Sequence, residues 1–247
     1  MSKEKSTYQN KVPSSTKPAA LRLKVCGMKA NTTEVAALKP DYLGFIFYAK
    51  SPRNFDLNKI PKLPAAIKKV GVFVNAELNF VLEKIQQFDL DAIQLHGSES
   101  PEYCLQLKKL CQIERSRDSE KKTTPSAFEV PTQNLIELWK VFSIKDTFDF
   151  SVLEDYEDVV DMFLFDTKGK EKGGNGYTFD WEVLKKYPSQ KPFILSGGIG
   201  LAEISSVKEF LQLNLPLYAI DVNSKFELEP GLKNIEDLKN LVSALKK

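Results

Sequence analysis

The sequence predicts a single (β/α)8 barrel, the TIM-barrel class of α/β fold, and three observations predict it. Short apolar runs alternate with longer amphipathic stretches about eight times between Leu21 and Leu245, which means βαβ crossovers and a parallel sheet. Several runs, such as Tyr42-Leu43-Gly44-Phe45-Ile46-Phe47, are apolar nearly throughout, as parallel strands covered on both faces are. The length, 247 residues, suits one large domain. Eight units in one domain of that size favour a closed barrel over an open doubly wound sheet.

Composition narrows the class further. The chain is 42% hydrophobic and 28% charged, the balance of a soluble globular domain. A domain this large buries roughly 70–75% of the surface its unfolded chain exposes, so it needs no disulfides. Three cysteines without a CxxC pair argue against a disulfide framework and against a zinc site, and fit a reducing cytoplasm. With 35 basic and 33 acidic residues there is no broad electrostatic case for nucleic acid. No run approaches the ~18 apolar residues of a membrane span. Residues 1–20 are rich in Lys, Ser, Thr and Pro and hold no apolar run, so they read as a disordered tail rather than a secretory leader.

Taken in order, the pattern places strands over 21–26, 41–47, 69–74, 91–95, 138–144, 162–165, 192–195 and 217–220. Helices are expected over 31–38, with Asn31 as N-cap, and over 77–88, 99–111, 179–187, 201–211 and 235–245. A further helix is expected within 150–160, where the periodicity is weakest. Residues 112–134 break the rhythm: they are charged, poor in apolar residues and aperiodic, and read as a polar surface insertion in the barrel spanning 21–247.

In a barrel the chemistry lies at the carboxyl ends of the strands. There the sequence offers Cys26, Arg53, His96, Asp166, the turn Ser196-Gly197-Gly198, and Asp221-Val222-Asn223-Ser224. Side chains alternate along a strand, so Lys24 and Cys26 share a face, and an ammonium beside a thiol favours the thiolate. A free cysteine is also a common buried apolar filler, and this stretch alone does not separate the two readings. Asp166, ending an apolar strand, reads either as a general acid or as a cap for the amides of the following loop. Gly197 and Gly198, after the seventh strand, can bring backbone N–H groups to an anion. The segment after the eighth strand, with Asn223 and Ser224, leads to a helix start, and loops seven and eight are where barrels often hold phosphate. His96 is the only histidine, without companions for zinc or for a serine triad.

Seven strings in this order are LKVCGM, DYLGFIFYAKSPRNF, VGVFVN, DAIQLHGSESPEY, FLFDTKGKEKGGNGYTFDW, ILSGGIG and AIDVNSKFELEPGLKN. Together they span about 21–240, and the chain thereby resembles the phosphoribosylanthranilate isomerases of tryptophan biosynthesis. The resemblance implies a metal- and cofactor-free barrel carrying out an Amadori rearrangement, the third step from chorismate. It implies Asp166 as general acid and Cys26 as general base. It also implies Arg53 on the anthranilate carboxylate, phosphate held by Gly197, Gly198, Asn223 and Ser224, and His96 and Asp221 on the substrate side. Lys24 as a tuner of the Cys26 thiol comes from the shared face alone. Asn175, Asn223 and Asn234 depart from the residues usual in the family but keep polar side chains. Another phosphosugar barrel enzyme, or a barrel that binds a phosphorylated ligand without turnover, are the alternatives. The implied partner is a small phosphorylated molecule, with no nucleic acid or membrane, and the chain reads equally as monomer or homodimer.

Overall fold

A computed structural model describes residues 21–121, 136–145, 147–167 and 181–246. The tail 1–20, residues 122–134 of the expected insertion and the glycine-rich stretch 168–180 lie outside the described residues. Eight strands close in sequence order into one parallel barrel: β1 Arg22–Val25, β2 Tyr42–Ile46, β3 Lys68–Phe73, β4 Ala92–Leu95, β5 Glu137–Ile144, β6 Met162–Thr167, β7 Phe193–Ser196 and β8 Leu217–Val222. The seam is made by β8 against β1, with Lys24 opposite Asp221 and Val25 opposite Val222.

Alternation along these strands builds two apolar layers. Inward residues Tyr42, Val70, Ala92, Trp139, Leu164, Ile194 and Ala219 fill the lower interior. Tyr42 packs edge-on to Trp139 at 5.0 Å and shares a 2.8 Å hydrogen bond with the Tyr218 hydroxyl. Outward residues form the larger layer between strands and helices, among them Leu43, Phe73, Ile93, Phe163, Phe165, Phe193 and Ile220. Phe193 lies at its aromatic centre, 5.4 Å from Phe165 and 5.0 Å from Tyr187.

The helices are α1 Thr32–Ala36, α2 Leu78–Phe88, α3 Pro101–Lys121, α4 Ile204–Leu211 and α5 Ile235–Leu245. Asn234 caps α5 by accepting from the Glu236 and Asp237 amides. Three expectations need correction. Asn31 precedes α1 but makes no side-chain cap. Its amide instead donates to the Lys233 carbonyl at 2.9 Å and accepts from the Lys233 amide at 3.0 Å. Residues 47–67, between β2 and β3, where the sequence pattern places no helix, contain none, and Pro52, Pro61 and Pro64 interrupt any backbone ladder there. The helices expected over 179–187 and within 150–160 are 3-10 turns, Trp181–Lys186 and Phe150–Tyr156. Pro188 bars helical geometry at Tyr187, and Asp149 draws the Ser151 amide into a tight turn. Finally, α3 continues past Cys111 into the stretch expected to be loop. Its Gln, Glu, Arg and Lys residues are good helix formers even without an apolar stripe.

No described helix is long and apolar enough to cross a membrane. Phe193→Ala should lower stability by about 3–5 kcal/mol, since it empties the centre of the outer layer. Urea unfolding monitored by circular dichroism checks this; a cost below about 1 kcal/mol would mean that the layer is not the core it looks to be.

Candidate active site

A cavity of about 250 Å³ opens at the carboxyl ends of the strands, lined by Cys26, His96, Asp166, Gly197, Gly198, Asp221, Asn223 and Ser224 together with Ile46, Val72, Gln94, Ser196, Ile199 and Lys225. Larger concavities of about 420 and 670 Å³ occur elsewhere, but neither contains Cys26, Asp166 or the glycine turn. Eight of the residues expected from the sequence thus share one cavity. Lys24 lies beneath it and Arg53 at its edge, beside Gly27 and Asn223.

The floor is set by β1 and β8. Lys24 is wholly buried and its Nζ donates to Asp221 Oδ2 at 2.8 Å. Although burial favours the neutral amine, Asp221 and Cys26 hold Lys24 above the ordinary lysine range. Asp221 Oδ1, also buried, has no hydrogen-bond partner among the described residues. An acceptor left in this way at a cavity wall fits a donor brought by a ligand.

Cys26 is 4% exposed, with its backbone fixed by a 2.8 Å bond to the Val222 carbonyl. Gly44 on β2 makes room for it: a Cβ there would stand 2.8 Å from Cys26 Sγ and 3.2 Å from Lys24 Cε. Burial pushes the thiol above its ordinary range; Lys24 pulls it down, and Asp221 adds to the rise. The lysine therefore acts in the direction its shared face implies, but burial outweighs it.

Across the cavity, His96 Nε2 lies 3.3 Å from Asp166 Oδ2, and Gln94 Nε2 lies 3.3 Å from His96 Nδ1. With Gln94 donating to Nδ1, a neutral imidazole carries its proton on Nε2, facing the carboxylate. Above β7, Gly197 and Gly198 have φ of 91° and 65°, a left-handed geometry that glycine adopts without strain. A Cβ at Gly198 would meet nothing within 4 Å, so the turn faces open space.

At the edge stands a cluster the sequence did not announce. After β8 the chain forms a short antiparallel pair, β9 Glu227–Glu229 and β10 Leu232–Lys233. Glu227 accepts from Arg53 Nε at 2.8 Å and Nη2 at 2.6 Å, from Lys233 Nζ at 2.8 Å and from the Gly231 amide at 3.1 Å. Lys233 also donates to Asn223 Oδ1 at 2.8 Å. Burial works against the Glu227 carboxylate, yet the bonds from Arg53 and Lys233 hold it below the ordinary range. Pro230-Gly231 is a turn signal that could have revealed this hairpin.

If Cys26 works as a thiolate, the rise of kcat/KM with pH reports its ionisation. Lys24→Met should move that rise to higher pH, because it removes the cation that lowers the thiol. Asp221→Asn should move it to lower pH, because it removes an anion that raises it. Profiles that stay superimposed would detach both residues from the titrating group.

The family model described as N-(5'-phosphoribosyl)anthranilate (PRA) isomerase matches residues 23–133 and 123–244. The chain is 40% identical to the N-(5'-phosphoribosyl)anthranilate isomerase of Parabacteroides distasonis, over 90% of this chain and 92% of that one. With the enzyme of that name from Campylobacter jejuni serotype O:6 it shares 36% identity, over 92% and 100%. Its fold is similar to the crystal structure of phosphoribosyl anthranilate isomerase from Thermotoga maritima, with a TM-score of 0.66, 27% identity, and coverage of 92% and 98%. The closed eight-stranded barrel, the cavity above it and these likenesses agree, and the chain belongs to the N-(5'-phosphoribosyl)anthranilate isomerase family.

Proposed function

We propose that this chain isomerises N-(5-phosphoribosyl)anthranilate to 1-(2-carboxyphenylamino)-1-deoxyribulose 5-phosphate, with Asp166 as general acid and Cys26 as general base. The observation that carries the reading is that one cavity is lined at once by Cys26, Asp166 and the Gly197–Gly198 turn. Asp166 gives a proton to the ribose ring oxygen, and the C–O bond breaks to leave an open-chain iminium. The iminium draws electrons from the sugar's second carbon and acidifies its proton. The Cys26 thiolate takes that proton, and the C–H pair becomes the double bond of an enolamine. Tautomerisation then gives the ketone.

The remaining groups have roles consistent with this path. His96, within hydrogen-bond reach of Asp166, orients the acid or reprotonates it. The unpartnered Asp221 Oδ1 accepts from a sugar hydroxyl. Phosphate sits against the Gly197–Gly198 turn with Asn223 and Ser224, where the backbone is open to a ligand. Arg53 takes the anthranilate carboxylate, a pairing suited to its planar fork. Three thiols, all free and buried, support a reducing cytoplasm as the place of work.

The test is consumption of phosphoribosylanthranilate. Cys26→Ala and Asp166→Asn should each reduce kcat by about 10²–10⁴-fold while preserving binding of the product. Full turnover in either variant would remove that residue from its role. A wild-type protein that bound substrate without consuming it would leave a binding barrel only.

A further inference from the structure

Arg53 and Lys233 are both cations at the edge of the cavity, and they share a single carboxylate. Among the described residues neither forms an ion pair with any acid other than Glu227. Glu227 and Lys233 side chains are 4% and 0% exposed, so water reaches the cluster only at Arg53, which is 22% exposed; with both cations protonated the three carry one positive charge in excess. Its geometry is specific as well. Glu227 occupies the Nε and Nη2 side of the Arg53 guanidinium, which leaves the edge formed by Nη1 and the second Nη2 proton for another acceptor. Lys233 ties the same carboxylate to Asn223 on the loop that follows β8. Asn31 locks the Lys233 backbone in turn, through the pair of bonds that replaces its expected capping role.

We infer that Glu227 and Lys233 are positioning residues for carboxylate recognition: Glu227 fixes Arg53 so that its open edge meets the aromatic carboxylate, and Lys233 provides the excess charge that this anion neutralises. The inference rests on the reading of Arg53 above and deepens it. It makes preference for a carboxylated aglycone a property of three residues on two loops, where one arginine alone would be flexible. It also joins the two ends of the substrate, since Lys233 holds both the partner of Arg53 and Asn223 on the phosphate side. Burial lowers the Lys233 pKa, and Glu227, 2.8 Å away, opposes that fall.

The experiment uses two product analogues whose sugar carbonyl is reduced to an alcohol, one with the ring carboxylate and one with a hydrogen in its place. Calorimetry gives the ratio of their affinities for wild type, Arg53→Ala, Glu227→Gln and Lys233→Met. Losses common to both analogues, from folding or from a loosened Asn223, cancel in that ratio. Glu227→Gln and Lys233→Met should each lower it by about tenfold, the scale of a hydrogen bond to a charged group. In turnover, KM should rise far more than kcat falls. Glu227→Asp keeps the charge and withdraws the carboxylate by one methylene; it too should lower the ratio, and it serves where a neutral variant does not fold. A ratio unchanged in Glu227→Gln and Lys233→Met but collapsed in Arg53→Ala overturns the inference and spares the reading beneath it. A ratio unchanged in Arg53→Ala overturns the carboxylate role of Arg53 itself. A ratio raised in Glu227→Gln would make Glu227 a competitor for Arg53 and also overturn the inference.

Discussion

Lys24 and Asp221 meet 2.8 Å apart inside the barrel, at the seam where β8 returns to β1, joining residues 197 positions apart in the chain. Most of what distinguishes the upper half of this barrel follows from that pair. Below it the interior is filled by apolar and aromatic side chains. Above it the floor is polar: Cys26 and Asp221 line the cavity, and the buried Asp221 Oδ1 has no hydrogen-bond partner among the described residues. A buried ion pair is a poor source of stability compared with apolar residues of the same volume, while removing one partner costs about 3–5 kcal/mol. Its value at this level is electrostatic, because it places a fixed cation and a fixed anion next to one thiol. Gly44 is part of the same arrangement, since a side chain there would collide with the Cys26 thiol and crowd the Lys24 stem.

The thiol is consequently set by opposing forces. Burial raises it, the lysine lowers it and the aspartate raises it again. A base that is hard to ionise is stronger once ionised, so in the role proposed for Cys26 burial would add to basicity, while Lys24 opposes part of the rise. The opposite wall is built differently: Asp166 stands at a strand end, partly open, with His96 beside it and Gln94 next to the histidine. Surroundings so unlike, one sealed and one open, suit the opposite directions of proton transfer proposed for the two groups.

The strands were legible because each is an apolar run bounded by polar residues, and all eight occur within a few positions of where the pattern puts them. The positions of Cys26, His96, Asp166 and Asp221 at strand ends were legible for the same reason, as the chain carries few polar side chains on those runs. Helices were less so. The apolar spacing over 179–187 suggests a helix, but the 3-10 turn of Trp181–Lys186 covers the outer layer with Trp181 and Leu184 without needing a full one. Partnerships across the fold were not legible at all. Nothing in the local pattern pairs Asn31 with Lys233 or Arg53 with Glu227, because those contacts depend on loops brought together only when the barrel closes.

Closure therefore creates two charged systems from the same seam. Lys24 and Asp221 balance each other within the barrel, and the polarity left over is one acceptor oxygen. Arg53, Lys233 and Glu227 do not balance, and the surplus is a positive charge on the loops above. Salt at physiological strength screens exposed charges beyond about 8 Å but screens buried ones much less. The surplus charge thus persists where an exposed lysine's would fade. In the roles proposed above, phosphate at the Gly197–Gly198 turn and a carboxylate at Arg53 would fix the two anionic ends of the substrate separately. With its ends held so, the sugar would lie across the cavity that Cys26 and Asp166 both line, which is what the proposed transfer of protons at two different atoms requires.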